Sequence, residues 1–373
     1  MSNWIRYNNL VKTFQKLKQN PELWQRYWVR ERVIDAIREY FKGQGFHEAE
    51  VPLLLPAPST EPFLEVFETE LKDDQGNKWQ GFLPSSPEFA LKKLLSAGSG
   101  SVFTITKSFR NGEGRSSRHN PEFTILEWYR TPGNYMDVAT DFEGLMRFIL
   151  TFKESPRRSN HLPTRRLPTR RLLEGGSQLT YQDKKYDLSS PWEKISVAEA
   201  FAKYASVDIE TMLNGSLLIA HGKRKGYQVT ETTTWEEIWN QIMANEIEPK
   251  LGQNGPTILY DYPIAQAALA RPAKDPRFAE RFEIFMAGLE LGNCFSELTD
   301  WKEQEARCKA DLALRQAQGK LAFPMDNDFI DALKLGMPPT GGIAVGVDRL
   351  VALFADTPDI ADTLFFPVGE MFA

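Results

Sequence analysis

Between Ser101 and Arg130 apolar and polar positions alternate with a period of two, interrupted by a polar stretch rich in Gly, Ser and Arg. That pattern predicts a β-hairpin. In its return strand Phe123, Ile125, Glu127 and Tyr129 fall on one face, and Thr124, Leu126 and Trp128 on the other. A carboxylate among aromatics is costly unless it meets a cation or donors, so Glu127 is a candidate for holding an amine-bearing ligand. An edge-strand glutamate facing water is the plain alternative. The outgoing strand ends at Arg110, whose planar fork of donors suits phosphate, the alternative being a solvated arginine at a strand end.

Elsewhere the spacing predicts a helix from Pro21 to Phe41 with Val33, Ile34, Ile37 and Phe41 as its apolar stripe, ended by Gly43 and Gly45. A helix around Asp141 to Phe152 follows, and another from Thr234 to Lys250 with Trp235, Ile238, Trp239 and Ile242 on one face. Segments 179–188, 256–263 and 281–291 read as strands. From Gly336 to Asp356 a glycine-rich extended run passes into a helix with Leu350, Leu353 and Phe354 at helical spacing and Arg349 near its start. Glycines 341, 342 and 346 let a backbone approach a ligand closely, although this is not the Walker phosphate loop. Between Gly288 and Asp300, Glu290 and Glu297 stand seven residues apart around a Gly-Asn pair read as a turn. Two carboxylates near a phosphate-binding arginine suit Mg²⁺ held partly by substrate phosphates, and two surface acids are the alternative.

Composition narrows the class. The chain has 373 residues, 42% of them hydrophobic, enough for a large core. No apolar run reaches spanning length and the first residues carry no signal-peptide pattern, which makes a cytoplasmic protein the expectation. Two cysteines, Cys294 and Cys308, and four histidines support neither a disulfide framework nor a structural zinc site. The net charge of −5 argues against a general nucleic-acid binder. One segment departs from that average: residues 155–171 hold six arginines, no acid and a tandem LPTRR. It is read as part of a disordered insertion at 153–178, a basic docking arm being the sharper alternative.

In combination, SSPEF (85–89), RHNPEFT (118–124) and GVDRL (346–350) resemble the signature motifs of the class II aminoacyl-tRNA synthetases, and within them the lysine-type catalytic core. The likeness covers most of the chain. It implies an α+β fold, an antiparallel sheet flanked by helices, as a single catalytic domain over 1–373, and a homodimer using the 21–41 helix. The nearer likeness is to the free-standing branch that attaches (R)-beta-lysine to a lysine side chain of translation elongation factor P. Three features carry it. The first motif lies within the first few dozen residues, leaving no room for an OB-fold anticodon domain; LEWYR (126–130) resembles that branch's hairpin end; and Ala344 stands where synthetases usually carry glycine. One methyl in a tight pocket is worth roughly 1–3 kcal/mol of discrimination.

The resemblance implies ATP and Mg²⁺ as cofactors. It places Arg110 and Arg349 as catalytic residues, and Arg110, Glu113, Asn120, Glu290, Leu291, Gly346 and Arg349 at ATP. Ser86, Glu88, Tyr129, Glu297 and Ala344 fall at the amino acid with Glu127 beside them, and Glu290 and Glu297 at the metal. Here the arginine and glutamate of the hairpin motif are Arg110 and Glu113, with one extra residue in the loop, which leaves Glu113 displaced from its usual contact. The implied chemistry is attack of the amino acid carboxylate on the α-phosphorus of ATP, then transfer to an amine with AMP leaving. No protein nucleophile is required, and His119 is read as structural or adjacent to ATP. Two rivals stand beside it: a minimal lysine synthetase charging tRNA, and a non-catalytic regulatory binder.

Overall fold

A computed structural model describes residues 12–112, 116–152, 177–189 and 191–372. The N-terminal part holds α1 (Thr13–Gln19), α2 (Trp24–Gly43), β1 (His47–Glu48), the hairpin of β2 (Phe67–Lys72) and β3 (Lys78–Leu83), and α3 (Glu88–Ser96). The predicted hairpin is β4 (Val102–Phe109) and β5 (Glu122–Arg130), followed by α4 (Tyr135–Thr151). Next come β6 (Gln178–Tyr181), β7 (Lys184–Asp187), β8 (Glu193–Ser196) and a helical block of α5 (Val197–Ala200), α6 (Ile209–Leu213), α7 (Gly215–Lys225) and α8 (Trp235–Ile242). The chain closes with β9 (Thr257–Pro263), β10 (Phe278–Met286), β11 (Leu289–Ser296), α9 (Trp301–Ala317), α10 (Asn327–Gly336), β12 (Gly341–Gly346), α11 (Val347–Phe354) and α12 (Val368–Met371).

The expected α+β architecture is present. An eight-stranded sheet runs β1-β4-β5-β12-β11-β10-β9-β8. Its central pairs are antiparallel, while β1 and β8 add parallel to β4 and β9 at the two edges. Alternation within the strands decides which face meets which helices. Leu126 and Trp128 of β5, Ile343 and Val345 of β12, and Phe282 and Ile284 of β10 point into one core with Val33, Ile37 and Phe41 of α2, the buried face of α4, and Leu350 and Leu353 of α11. Each such large side chain contributes about 1.5–3 kcal/mol on burial. Behind the β8–β9 edge Ile238, Trp239 and Ile242 of α8 build a second core with Phe201 and Leu259, so the predicted stripe of that helix packs as read. On the opposite sheet face α3, α9 and α10 cover one end through Phe89, Leu91, Phe329 and Leu333. The rest of that face carries the polar residues of interest.

Two expectations change. The segment 281–291 is not one strand: it turns at Ala287 and Gly288, both in the left-handed region (φ 54° and 73°), between β10 and β11. Conversely Gly292-Asn293 is no turn but lies inside β11, pairing with β10 and β12. A Cβ at Gly292 would stand 3.1 Å from the Ala344 carbonyl, so the glycine serves close strand approach rather than a reversal. The 153–178 insertion lies outside the described residues except for 177 and 178, where Gln178 already opens β6.

Candidate active site

Strand register assembles the site in two parallel rows. The first runs Thr104–Glu127–Ala344–Asn293–Glu283 across β4, β5, β12, β11 and β10. The second, two residues along each strand, runs Val102–Tyr129–Gly342–Phe295–Arg281. Both rows therefore face the side away from the main core. β5 is an interior strand and Glu127 is buried, so the water-facing alternative is excluded.

At one end of the rows lies an acidic pocket. Glu127 accepts hydrogen bonds from Ser86 Oγ (2.5 Å) and Tyr129 OH (3.2 Å). Ser86 also accepts from the backbone N–H of Glu88 (3.0 Å), which fixes the start of α3. Glu297 follows β11 and is buried beside Tyr129, so close to Gly342 that a Cβ there would overlap its carboxylate. Lys92, fully buried, lies 2.6 Å from Glu88 and 2.5 Å from Glu297. Burial and then the Glu88 charge push the Glu127 carboxyl up to about 8, against the hydrogen bonds from Ser86 and Tyr129. Burial likewise lifts Glu297 to about 7, although Lys92 pulls it down. Burial alone would lower the Lys92 pKa, but Glu297 and Glu88 outweigh it and the ammonium is held above its ordinary value.

At the other end stand the two arginines. Arg110 directly follows β4, its guanidinium 5.2 Å from the centre of the Phe123 ring, and its charge works against the burial that raises Glu61. Arg349, on the first turn of α11, donates to the Glu290 carbonyl (2.8 Å) and lies 3.6 Å from the Glu290 carboxylate. It also hydrogen-bonds His119 Nε2 (2.9 Å), so that ring presents a lone pair there and its Nδ1 hydrogen faces Ser116 Oγ at 3.0 Å. Gly346 pairs with Ile125 at this same end.

The fold brings together Ser86, Glu88, Glu127, Tyr129, Glu297 and Ala344, all expected at one ligand. Other assignments change. Leu291 is buried in the main core, so its side chain cannot face a nucleotide. Asn120, next to His119, donates to the Glu122 carbonyl (2.5 Å) and accepts from the Val368 N–H (3.2 Å). Glu290 and Glu297 sit at opposite ends of β11, roughly 23 Å apart at strand rise, too far to share one ion. Glu113 lies outside the described residues.

A metal fits only in a restricted way. Among the described residues no three His, Cys, Asp or Glu side chains cluster to hold an ion. Burial raises Glu283, with Glu290 adding to it, so two acids on adjacent strands face the arginine end. Such a sparse donor set suits Mg²⁺, which binds through one or two carboxylates and substrate phosphates.

Sequence reading missed Lys92, Asn293, Arg281 and Glu283. Arg281 ion-pairs with Glu283 (2.6 Å) and donates to Asn293 Oδ1 (3.2 Å), bracing the β10 end of the rows. Lys92 had a legible signal, its i+4 spacing from Glu88, but such pairs are ordinarily solvated.

The sheet thus carries one arginine beyond β4, another at the start of α11 and an acidic pocket on the same face. The chain belongs to the family described as tRNA synthetases class II (D, K and N), which it matches over residues 7–370. It is 34% identical over 376 residues to a lysine–tRNA ligase of Listeria monocytogenes, covering 97% of this chain and 69% of that protein. A lysine–tRNA ligase of Moorella thermoacetica is 35% identical over 352 residues, 93% of this chain and 66% of that one. One of Oceanobacillus iheyensis is 33% identical over 376 residues, 97% and 70% respectively. Membership implies an ATP-dependent amino acid ligase, a family that generally uses Mg²⁺. Among the described residues no helix is long and apolar enough to cross a membrane.

Proposed function

We propose that this protein activates lysine or (R)-beta-lysine with ATP as an aminoacyl-adenylate and ligates it to a lysine side chain of elongation factor P. The observation that carries the amino acid half is the pocket of Glu88, Glu127 and Glu297, buried acids around a diamino acid, since a buried ammonium needs an opposite charge or acceptors. The relatives' names support lysine as well. Ala344, between Glu127 and Asn293, supports the beta isomer by narrowing the row.

In this reading the lysine carboxylate attacks the α-phosphorus and pyrophosphate leaves. Arg110 neutralises charge growing on the phosphate oxygens, and Arg349 holds the far end of the triphosphate or stacks on adenine, which requires it to release His119. Mg²⁺, with Glu290 as its protein ligand, would neutralise phosphate charge. The acceptor amine then attacks the mixed anhydride and AMP leaves, positioning alone supplying several kcal/mol. A homodimer is part of the proposal.

The second reading is tRNA charging, favoured by the relatives being lysine–tRNA ligases. One experiment separates them: the intact mass of elongation factor P after incubation with protein, ATP, Mg²⁺ and either lysine isomer, beside a tRNA-charging assay. A gain of one lysyl unit, larger with the beta isomer and lost in Arg110→Ala, supports the ligase. An unmodified factor with charged tRNA sinks it, and absence of pyrophosphate exchange points to a non-catalytic binder.

A further inference from the structure

The pocket contains a charge that a simple amine-binding site would avoid. Lys92 Nζ is fully buried, 2.6 Å from Glu88 and 2.5 Å from Glu297, on the second turn of α3. An ammonium enclosed with acids that are themselves to hold ammonium groups competes with the ligand, unless it answers a charge the ligand does not.

We propose that Lys92 is a specificity-determining positioning residue, an internal cation that permanently answers one of three buried carboxylates and leaves the pocket two negative charges for the two ammonium groups of a diamino acid. The inference rests on the amino acid reading above. Charge counting supports it: Glu88, Glu127 and Glu297 against one Lys92 leaves a deficit of two. Geometry supports it too. Lys92 bridges α3 to the end of β11 and so sets the separation of Glu88 from Glu297, while Ser86 and Tyr129 hold Glu127 independently. Without Lys92 the third acid would be buried and unpaired, and buried unpaired carboxyls keep their protons instead of ionising. The pocket would then meet the ligand through neutral groups at neutral pH.

The titratable groups around Lys92 are few. Glu88 shares its helix, Glu127 and Tyr129 lie beside it on β5, Glu297 faces it from the end of β11, and the Cys308 thiol from α9. Beyond Glu88 stands Glu61, raised by burial and answered by the Arg110 and Arg281 charges rather than by Lys92. Burial raises Tyr129 and Cys308, so both stay neutral near pH 7. The two carboxyls lifted toward neutrality, Glu127 and Glu297, are the ones able to exchange a proton for an ammonium.

The test is calorimetric binding of lysine and of 1,5-diaminopentane from pH 6 to 9, with ATP KM from pyrophosphate exchange as a control. Lys92→Ala is expected to bind lysine at least tenfold more weakly at pH 7, and the midpoint of its affinity-pH profile to move up by at least one unit. Ethylammonium should restore affinity, and the KM for ATP should stay within about twofold. A profile that does not move, even with weakened binding, would leave Lys92 only a structural role and overturn the proposal. Lys92→Gln, which keeps hydrogen-bond donors without charge, should shift the profile equally if charge is what matters, and serves if the alanine variant does not fold. Wild-type protein supplies an independent count: lysine binding at pH 7 should release roughly one to two protons. None, or three, overturns the assignment. Wild type binding neither lysine nor the diamine would instead sink the underlying reading.

Discussion

Ala344 stands directly across the β5–β12 pair from Glu127, and Asn293 takes the same level on its other side. Strands are about 4.8 Å apart, so the methyl of Ala344 occupies the floor between an acid and an amide roughly 10 Å from one another. Ala344→Gly should deepen that floor by one methyl. We expect the preference between (R)-beta-lysine and lysine to shift toward the α isomer by about 5- to 150-fold, the equivalent of roughly 1–3 kcal/mol. Pyrophosphate exchange with each isomer measures it, and an unchanged ratio would remove Ala344 from the specificity argument.

Gly342, one level along, has no such freedom. A Cβ there would overlap both the Glu297 carboxylate and the Tyr129 ring. Because both neighbours are buried, Gly342→Ala should abolish detectable lysine binding and destabilise the fold by about 1–3 kcal/mol. Thermal melting and calorimetry would show it; wild-type lysine affinity in the variant would mean the pocket relaxes.

The raised carboxyls give a pH dependence of definite sign. Glu127 near 8 and Glu297 near 7 bind protons in the folded protein that the unfolded chain, with carboxyls near 4.3, has already lost. Stability of the ligand-free protein should therefore fall as pH rises from about 5 through 8, and remain level below that. Lysine affinity should rise over pH 7 to 8 as the acids ionise. Glu127→Gln should flatten the upper part of the stability curve, and a melting temperature independent of pH between 6 and 8.5 would contradict the shifts.

Asp348 links three elements: it pairs with Arg30 of α2 and accepts from the Thr124 N–H (2.9 Å) at the start of β5. Asp348→Ala leaves Arg30, largely buried, without its carboxylate, and removing one partner of such a pair costs about 3–5 kcal/mol. A denaturant midpoint close to wild type would show that Arg30 finds another acceptor.

Arg349 acts at the nucleotide end in the proposed function. Arg349→Lys keeps charge but loses the fork that reaches both the Glu290 carbonyl and His119. Its KM for ATP should rise about tenfold or more while lysine binding, measured without ATP, is unchanged. A parallel loss of lysine affinity would show that the two ends of the sheet are not independent.

Local pattern determined much of this protein. Period-two alternation placed Glu127 and Tyr129 on one face of β5, and helical spacing placed the stripes of α2 and α8, because those periods are properties of the backbone itself. Gly292-Asn293 misled because a glycine-asparagine pair reads as a turn, while its actual use, close approach to β12, depends on a neighbour more than fifty residues away in sequence. The same distance in sequence hid the rest. Glu290 and Glu297 looked like one pair until β11 set them at its two ends, and Leu291, placed at ATP by the resemblance, is turned into the core by the register shift between β10 and β11 at that residue. Lys92 was passed over because an i, i+4 pair with Glu88 is ordinarily solvated, and only the packing of α3 over the end of β11 excludes water from it. Residue types and periods set each strand's faces; which acids share a pocket, and whether water screens them, was decided only when the sheet's register brought distant strands to one level.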